Sequence, residues 1–345
     1  MHGSARPDSA RPDSARPDNL GSGDIDGFGA RGRDPGVGAG SVDARGAAIT
    51  SSPPVVDRAR EIELLEAALS CGAHVLLEGP PGTGKSTLLR SVAADVDVPY
   101  VLVEGNAELT PARLLGQFDP ALVLSRGYSP EIFADGPLLE AMRSGALLYV
   151  EELNRVPEET LNVLLSAMSE GQVAVPRLGR VTAAPGFAFI AAMNPFDAVG
   201  TARVSSALYD RTCRIVMGYQ SAEAETDIVA LREPDVDAGW RERVVEVVRS
   251  TRTHPDIEVG SSVRGAIDLT RLAVALSRRR GVPLTDDEVG VAAATTALSG
   301  RIRLHDGCGR SAEDIIVELY RRVFAVPEES RDDERTRGGE SPGER

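Results

Sequence analysis

Gly79-Pro80-Pro81-Gly82-Thr83-Gly84-Lys85-Ser86 carries the spacing G-x-x-x-x-G-K-S. Glycines at such positions let a loop curl until successive backbone N–H groups and a helix N-terminus face phosphate oxygens. Lys85 is placed to reach the β- and γ-phosphates, the Ser86 hydroxyl to ligate Mg²⁺, and Thr87 to continue the cradle. Lys85 is the only lysine among 345 residues; every other cationic side chain is arginine. A compact ammonium suits a phosphate cradle in a way that a planar guanidinium does not. A glycine-rich turn that merely starts a helix is the plain alternative. A second constellation is the acidic pair Glu151-Glu152, which ends the apolar run Ala146-Leu147-Leu148-Tyr149-Val150. One carboxylate at such a strand tip can hold a metal's water shell, a role expected of Glu151, and the next, Glu152, can polarise an attacking water. Standing alone, the pair would read as a strand ending in a solvated acidic turn. Asn194 closes the run Phe187–Met193, where an amide can contact a γ-phosphate or orient water; before Pro195 it can equally be a turn former.

These residues need a scaffold that gathers strand ends. Val75-Leu76-Leu77 predicts a buried strand into the loop, and Thr87–Val92 a helix out of it. An amphipathic helix with apolar residues at 62, 64, 65, 68 and 69 precedes them, and Pro99–Glu104 reads as a second buried strand. Strand and helix in alternation predict a parallel sheet covered by helices, which binds ligands at the carboxyl ends of its strands. Residues 110–129 read as helix and loop, 137–142 as a helix, and 158–170 as a helix closed by Gly171. The segment 172–182 predicts a hairpin turning at Arg177–Gly179, and 214–217 a short strand. Beyond about 220 the pattern is all-helical, over 240–250, 263–280, 286–299 and 311–325. Arg264 falls in the first turn of one of these helices.

The ends of the chain have a different composition. Residues 1–52 contain three copies of Ser-Ala-Arg-Pro-Asp and a glycine-rich run, and 327–345 is almost entirely charged residues, Pro, Gly and Ser. Neither can bury enough apolar surface to order itself. Folded domains are expected over 53–219 and 220–326, and 42% apolar residues suffice for their cores. The net charge is −14, about −10 of it on the body, which disfavours nucleic-acid or acidic-membrane binding. Three cysteines and four histidines have neither zinc nor disulfide spacing. No apolar run approaches about 18 residues and no signal-peptide core begins the chain, so the expected location is the cytoplasm.

The P-loop, the acidic pair, Asn194, Asp210-Arg211 and a helical domain bearing Arg264 follow one another in the order that marks AAA+ ATPases. With Asn154-Arg155, the hairpin and Leu208-Tyr209-Asp210-Arg211, the chain resembles the MoxR branch over about 54–325. The resemblance implies an AAA+ P-loop α/β domain followed by a smaller all-helical lid. It also implies ATP and Mg²⁺ as cofactors and a ring, usually a hexamer. Gly79 to Thr87 correspond to Walker A, Glu151 and Glu152 to Walker B, Asn194 to sensor 1, Arg211 to an arginine finger and Arg264 to sensor 2. Arg211 has a plainer alternative, pairing with Asp210 or capping a helix. The family's Walker B usually reads Asp-Glu; Glu151 departs from it. MoxR-like proteins are chaperone-like remodellers or maturation factors, often with a partner that bears a von Willebrand factor A domain. A non-hydrolysing nucleotide-dependent scaffold and the motor subunit of a metal chelatase are the alternative functions.

Overall fold

In the computed structural model, described for residues 55–195 and 204–325, strands and helices alternate up to residue 216 and helices dominate thereafter. The tails expected at 1–52 and 327–345 lie outside the described residues. The first half runs α1 (Ala59–Ser70), β1 (Val75–Glu78), α2 (Lys85–Asp95), β2 (Tyr100–Glu104), α3 (Pro111–Leu115), β3 (Gly116–Phe118) and α4 (Pro120–Arg126). It continues with β4 (Phe133–Asp135), α5 (Pro137–Ser144), β5 (Leu147–Glu151), α6 (Glu158–Glu170), β6 (Gln172–Val175), β7 (Gly179–Thr182), β8 (Ala188–Met193), α7 (Ser206–Tyr209) and β9 (Cys213–Val216).

Five of these strands form a parallel sheet in the order β2-β5-β8-β1-β9. β1, β5 and β8 are buried on both faces, apart from the half-buried Glu151 at the tip of β5, as continuous apolar runs in a helix-covered sheet should be. One face packs against α1 and α2 around Leu65, Leu77, Leu88 and Ile190. The other packs against α3, α5 and α6 around Leu76, Leu138, Leu164 and Phe189. The β6–β7 hairpin is antiparallel and pairs Val175 with Gly179.

Three sequence expectations are corrected. β2 is an edge strand rather than a buried one: it pairs on one side only, and Tyr100 and Leu102 are 38% and 47% exposed. Residues 110–135 hold a two-stranded antiparallel ribbon, β3–β4, which joins Phe118 to Phe133 around α4. The region beyond 220 is not wholly helical. It contains α8 (Ala222–Arg232), α9 (Ala238–Ser250), β10 (Ile257–Val259), α10 (Val263–Arg280), α11 (Asp287–Leu298), β11 (Arg303–Leu304) and α12 (Ala312–Phe324). β10 and β11 pair antiparallel, and a separate core forms around Trp240, Leu269, Leu298 and Tyr320.

Candidate functional site

The P-loop leaves the C-terminal end of β1 and turns into α2. Gly84 is the N-cap of α2, in left-handed backbone (φ +88°), and no side chain caps the helix or puts an acid in its first turn. Its leading N–H groups are therefore left for an anion. The Lys85 ammonium donates to the carbonyls of Gly79 (2.8 Å) and Pro80 (2.9 Å). Burial pushes Lys85 down to about 8, Glu152 and Glu151 oppose the shift, and Arg264 reinforces it. Both acids and Arg264 thus lie within electrostatic range of Lys85, although they come from the end of β5 and the start of α10.

Tyr149 was not singled out from the sequence, yet it joins the metal-ligand candidates. Its side chain is 1% exposed, and its hydroxyl lies between Ser86 Oγ, at 3.4 Å, and the Glu151 carboxylate. Burial and Glu151 hold the phenol far above its ordinary range, so it remains a neutral donor. Oε1 of Glu151 is buried with no hydrogen-bond partner. The orphaned carboxylate oxygen and the Ser86 hydroxyl, each beside Tyr149, are hard oxygen donors of the kind that Mg²⁺ takes. Glu152 follows in left-handed backbone (φ +51°) with Arg155 Nε 3.3 Å from its Oε2. A non-glycine residue held there stores strain of order 1–3 kcal/mol. Gly105, at the end of β2, fits beneath this turn: its N–H donates to Glu151 O at 2.8 Å. A Cβ on Gly105 would stand 2.5 Å from Glu152 O.

Asn194 follows β8, next to β1, and lines a cavity with Pro80 and Pro81. Asn154 Nδ2 donates to its carbonyl at 3.5 Å. Arg264, in the first turn of α10, lines a cleft of about 230 Å³ with Gly82, Gly84 and Thr87. Val55, Val56, Ile228 and Ile267 supply apolar wall, and Gln220 contributes a buried amide oxygen with no partner. Arg58, 6% exposed, donates through Nη2 to Thr83 O (3.1 Å) and Gly218 O (2.6 Å). No local sequence pattern marked Arg58, Gly105 or Gln220. A polar aromatic inside the apolar run 146–150 was the available signal for Tyr149.

Arg211 is not in this cluster. It donates to Ser169 Oγ on α6 and to Ala207 O, and lies 3.7 Å from Asp210. It precedes β9, whose first residue Cys213 pairs with Val75 at the start of β1, whereas the P-loop leaves the other end. At about 3.3 Å per strand residue, the length of β1, about 10 Å, separates the two ends.

The family model for the AAA domain (dynein-related subfamily) matches residues 74–212, the span from His74 to just past Arg211. The uncharacterized protein YeaC of Bacillus subtilis (strain 168) is 30% identical over 298 residues, covering 76% of this chain and 89% of that protein. The chain belongs to the AAA+ ATPases. This AAA+ chain is also 31% identical over 209 residues to the gas vesicle ATPase GvpN of Haloferax mediterranei, covering 56% of this chain and 60% of that protein. Among solved structures it is similar to the RuvB Holliday junction branch migration motor of Thermotoga maritima, at 18% identity and a TM-score of 0.46, covering 69% and 67% of the two chains. No helix among the described residues is long and apolar enough to cross a membrane.

Proposed function

We propose that this AAA+ chain hydrolyses ATP in a ring of its own copies, a hexamer as in the MoxR branch it resembles, and remodels or matures a protein partner. The convergence of Lys85, Ser86, Glu151, Glu152 and Arg264 at one corner of the sheet carries this reading. The cleft supports adenine nucleotide as substrate. Its apolar walls accept a base, and the Gln220 amide oxygen can accept the 6-amino hydrogen of adenine, where guanine offers an oxygen.

On binding, the Lys85 ammonium exchanges its two carbonyl partners for phosphate oxygens. The N–H groups at the start of α2 hold the phosphates in place. Ser86 and Glu151 would hold Mg²⁺, which would supply neutralisation of the phosphate charge. Glu152 takes the proton of the attacking water, Asn194 orients that water, and Arg264 contributes positive charge from the helical lid. Arg211 reaches the nucleotide of the neighbouring subunit, because it lies at the wrong end of the sheet for its own. Arginine fingers are worth about 10³ to 10⁵ in rate. The acidic body favours a protein client, including one that bears a von Willebrand factor A domain, over a nucleic-acid track.

Purified protein should release phosphate from ATP in the presence of Mg²⁺. Lys85→Ala should abolish ATP binding, and Glu152→Gln should keep binding while lowering turnover at least about hundredfold. Normal turnover by Glu152→Gln would reverse the roles assigned to the two acids, and binding without any turnover in the wild type would leave a nucleotide-dependent scaffold.

A further inference from the structure

Glu78 ends β1 immediately before the P-loop and takes no part in the chemistry described above. Its side chain is 1% exposed, and a carboxylate so far removed from water requires partners. It has two. Oε1 accepts from the Tyr209 hydroxyl at 2.6 Å, and Oε2 accepts from the Arg214 guanidinium. Burial, and then the Glu78 carboxylate, push the Tyr209 phenol up to about 12, so Tyr209 is the donor. The backbone is engaged as well, with Met217 N–H donating to Glu78 O at 2.7 Å.

Tyr209 ends α7, a helix of four residues that is too short to be stable by itself. Within the sheet domain the segment's anchors are the fully buried Leu208, the Tyr209–Glu78 bond and, further along, the Arg211–Ser169 bond. Arg211 sits on the turn that the Tyr209–Glu78 anchor fixes. Its N–H donates to Leu208 O (3.1 Å), Thr212 N–H donates to Tyr209 O (3.3 Å), and its Nη1 returns to Ala207 O (2.9 Å). The last residue before one subunit's P-loop is thus one side-chain bond and two residues away from the arginine offered to the next subunit.

We propose that Glu78 is a positioning residue for Arg211: through Tyr209 it holds the segment that presents Arg211 to the neighbouring nucleotide, and so ties that presentation to the root of its own P-loop. The proposal rests on the reading of Arg211 as trans-acting. Loss of this charge-assisted hydrogen bond should release the segment about tenfold.

The test uses full-length chains carrying Tyr209→Phe, with Glu78→Gln as the second variant. Hydrogen exchange at the amides of 209–212 should accelerate about tenfold in both variants, and unchanged exchange overturns the proposal whatever the ring does. In wild-type-like rings Tyr209→Phe should lower kcat about tenfold with KM for ATP within about twofold; a raised KM at full kcat overturns it. Mixed rings, verified by native mass spectrometry, supply the polarity. Tyr209→Phe subunits should regain turnover when mixed with Lys85→Ala subunits, whose Arg211 is intact, and gain nothing from Arg211→Ala subunits. The opposite polarity makes Glu78 and Tyr209 parts of their own P-loop and overturns the proposal. Mixing Lys85→Ala with Arg211→Ala is the control on the trans reading. If that pair forms mixed rings without activity while exchange at 209–212 is accelerated, the hold of Glu78 on the segment stands and the trans-acting role of Arg211 falls.

Discussion

Ser262 and Gly82 meet so closely that a Cβ on Gly82 would stand 2.2 Å from the Ser262 hydroxyl oxygen. Ser262 is the N-cap of α10 and lies two residues before Arg264, so the start of the helix carrying Arg264 rests on the P-loop itself. Gly82 also has φ +76°, which L side chains rarely adopt. Gly82→Ala is therefore expected to weaken ATP binding at least about tenfold. Adding Ser262→Gly should recover only part of the loss, because it removes the collision and leaves the backbone strain of order 1–3 kcal/mol. Titration with a fluorescent ATP analogue measures both; full recovery in the double variant would mean that the collision alone matters.

Lys85 gives the site a pH signature. With its ammonium at about 8, the free site is increasingly neutral above that pH, whereas phosphate binding requires the cation. ATP affinity should be flat well below pH 8 and fall above it, approaching tenfold per unit. At pH 8.5 binding should take up roughly three quarters of a proton, read by calorimetry in two buffers of different ionisation enthalpy. Lys85→Arg, which stays charged, should bind without uptake. Buffer-independent heat in the wild type would contradict the depressed value.

Glu151→Asp withdraws the carboxylate from Tyr149 by one methylene and restores the family's usual residue. Turnover at saturating Mg²⁺ is expected within about threefold of wild type or faster, since either acid can hold a metal-bound water. Glu151→Gln should raise the Mg²⁺ concentration for half-maximal turnover at least about tenfold. A large loss in Glu151→Asp would mean that the longer acid is built into the site.

His74 links stability to pH. Its Nδ1 accepts from Phe189 N–H at 3.0 Å and Nε2 faces Met168 O at 3.3 Å, which requires the neutral ring protonated on Nε2. Burial holds its pKa below 6.5, with the Met168 carbonyl opposing. The unfolded chain takes a proton near 6.5 and the folded protein only at lower pH. The contribution of His74 is therefore complete above about 6.5 and declines as pH falls towards the folded value. Urea midpoints between pH 5 and 8 should fall more steeply for wild type than for His74→Gln; parallel curves would refute the linkage.

The P-loop, Glu151-Glu152 and the strand before Asn194 were legible because each is contiguous and the sheet interior imposes an unbroken apolar run. Edge position left no such mark on β2: Tyr-Val-Leu-Val is as apolar as a central strand, and only the strand order exposes Leu102. The β3–β4 and β10–β11 ribbons pair two- or three-residue strands across long stretches of chain, too short to show a period of two. Arg58 and Gln220 escaped for another reason. Their role comes from where the fold buries them, between the P-loop and the lid, and a lone arginine or glutamine carries no such information in its neighbours.

Arg58 ties the P-loop to the stretch of chain that leads into the helical region. One terminal nitrogen serves both Thr83 O in the P-loop and Gly218 O, two residues before the lid's leading residues. A swing of the helical part that carries Gly218 away leaves Thr83 as the sole partner of that nitrogen, in a pocket where Arg58 Nε already lacks one. Opening the lid and loosening the P-loop therefore draw on the same guanidinium. Nucleotide release should respond to substitution of Arg58, which touches the P-loop through the loop's backbone.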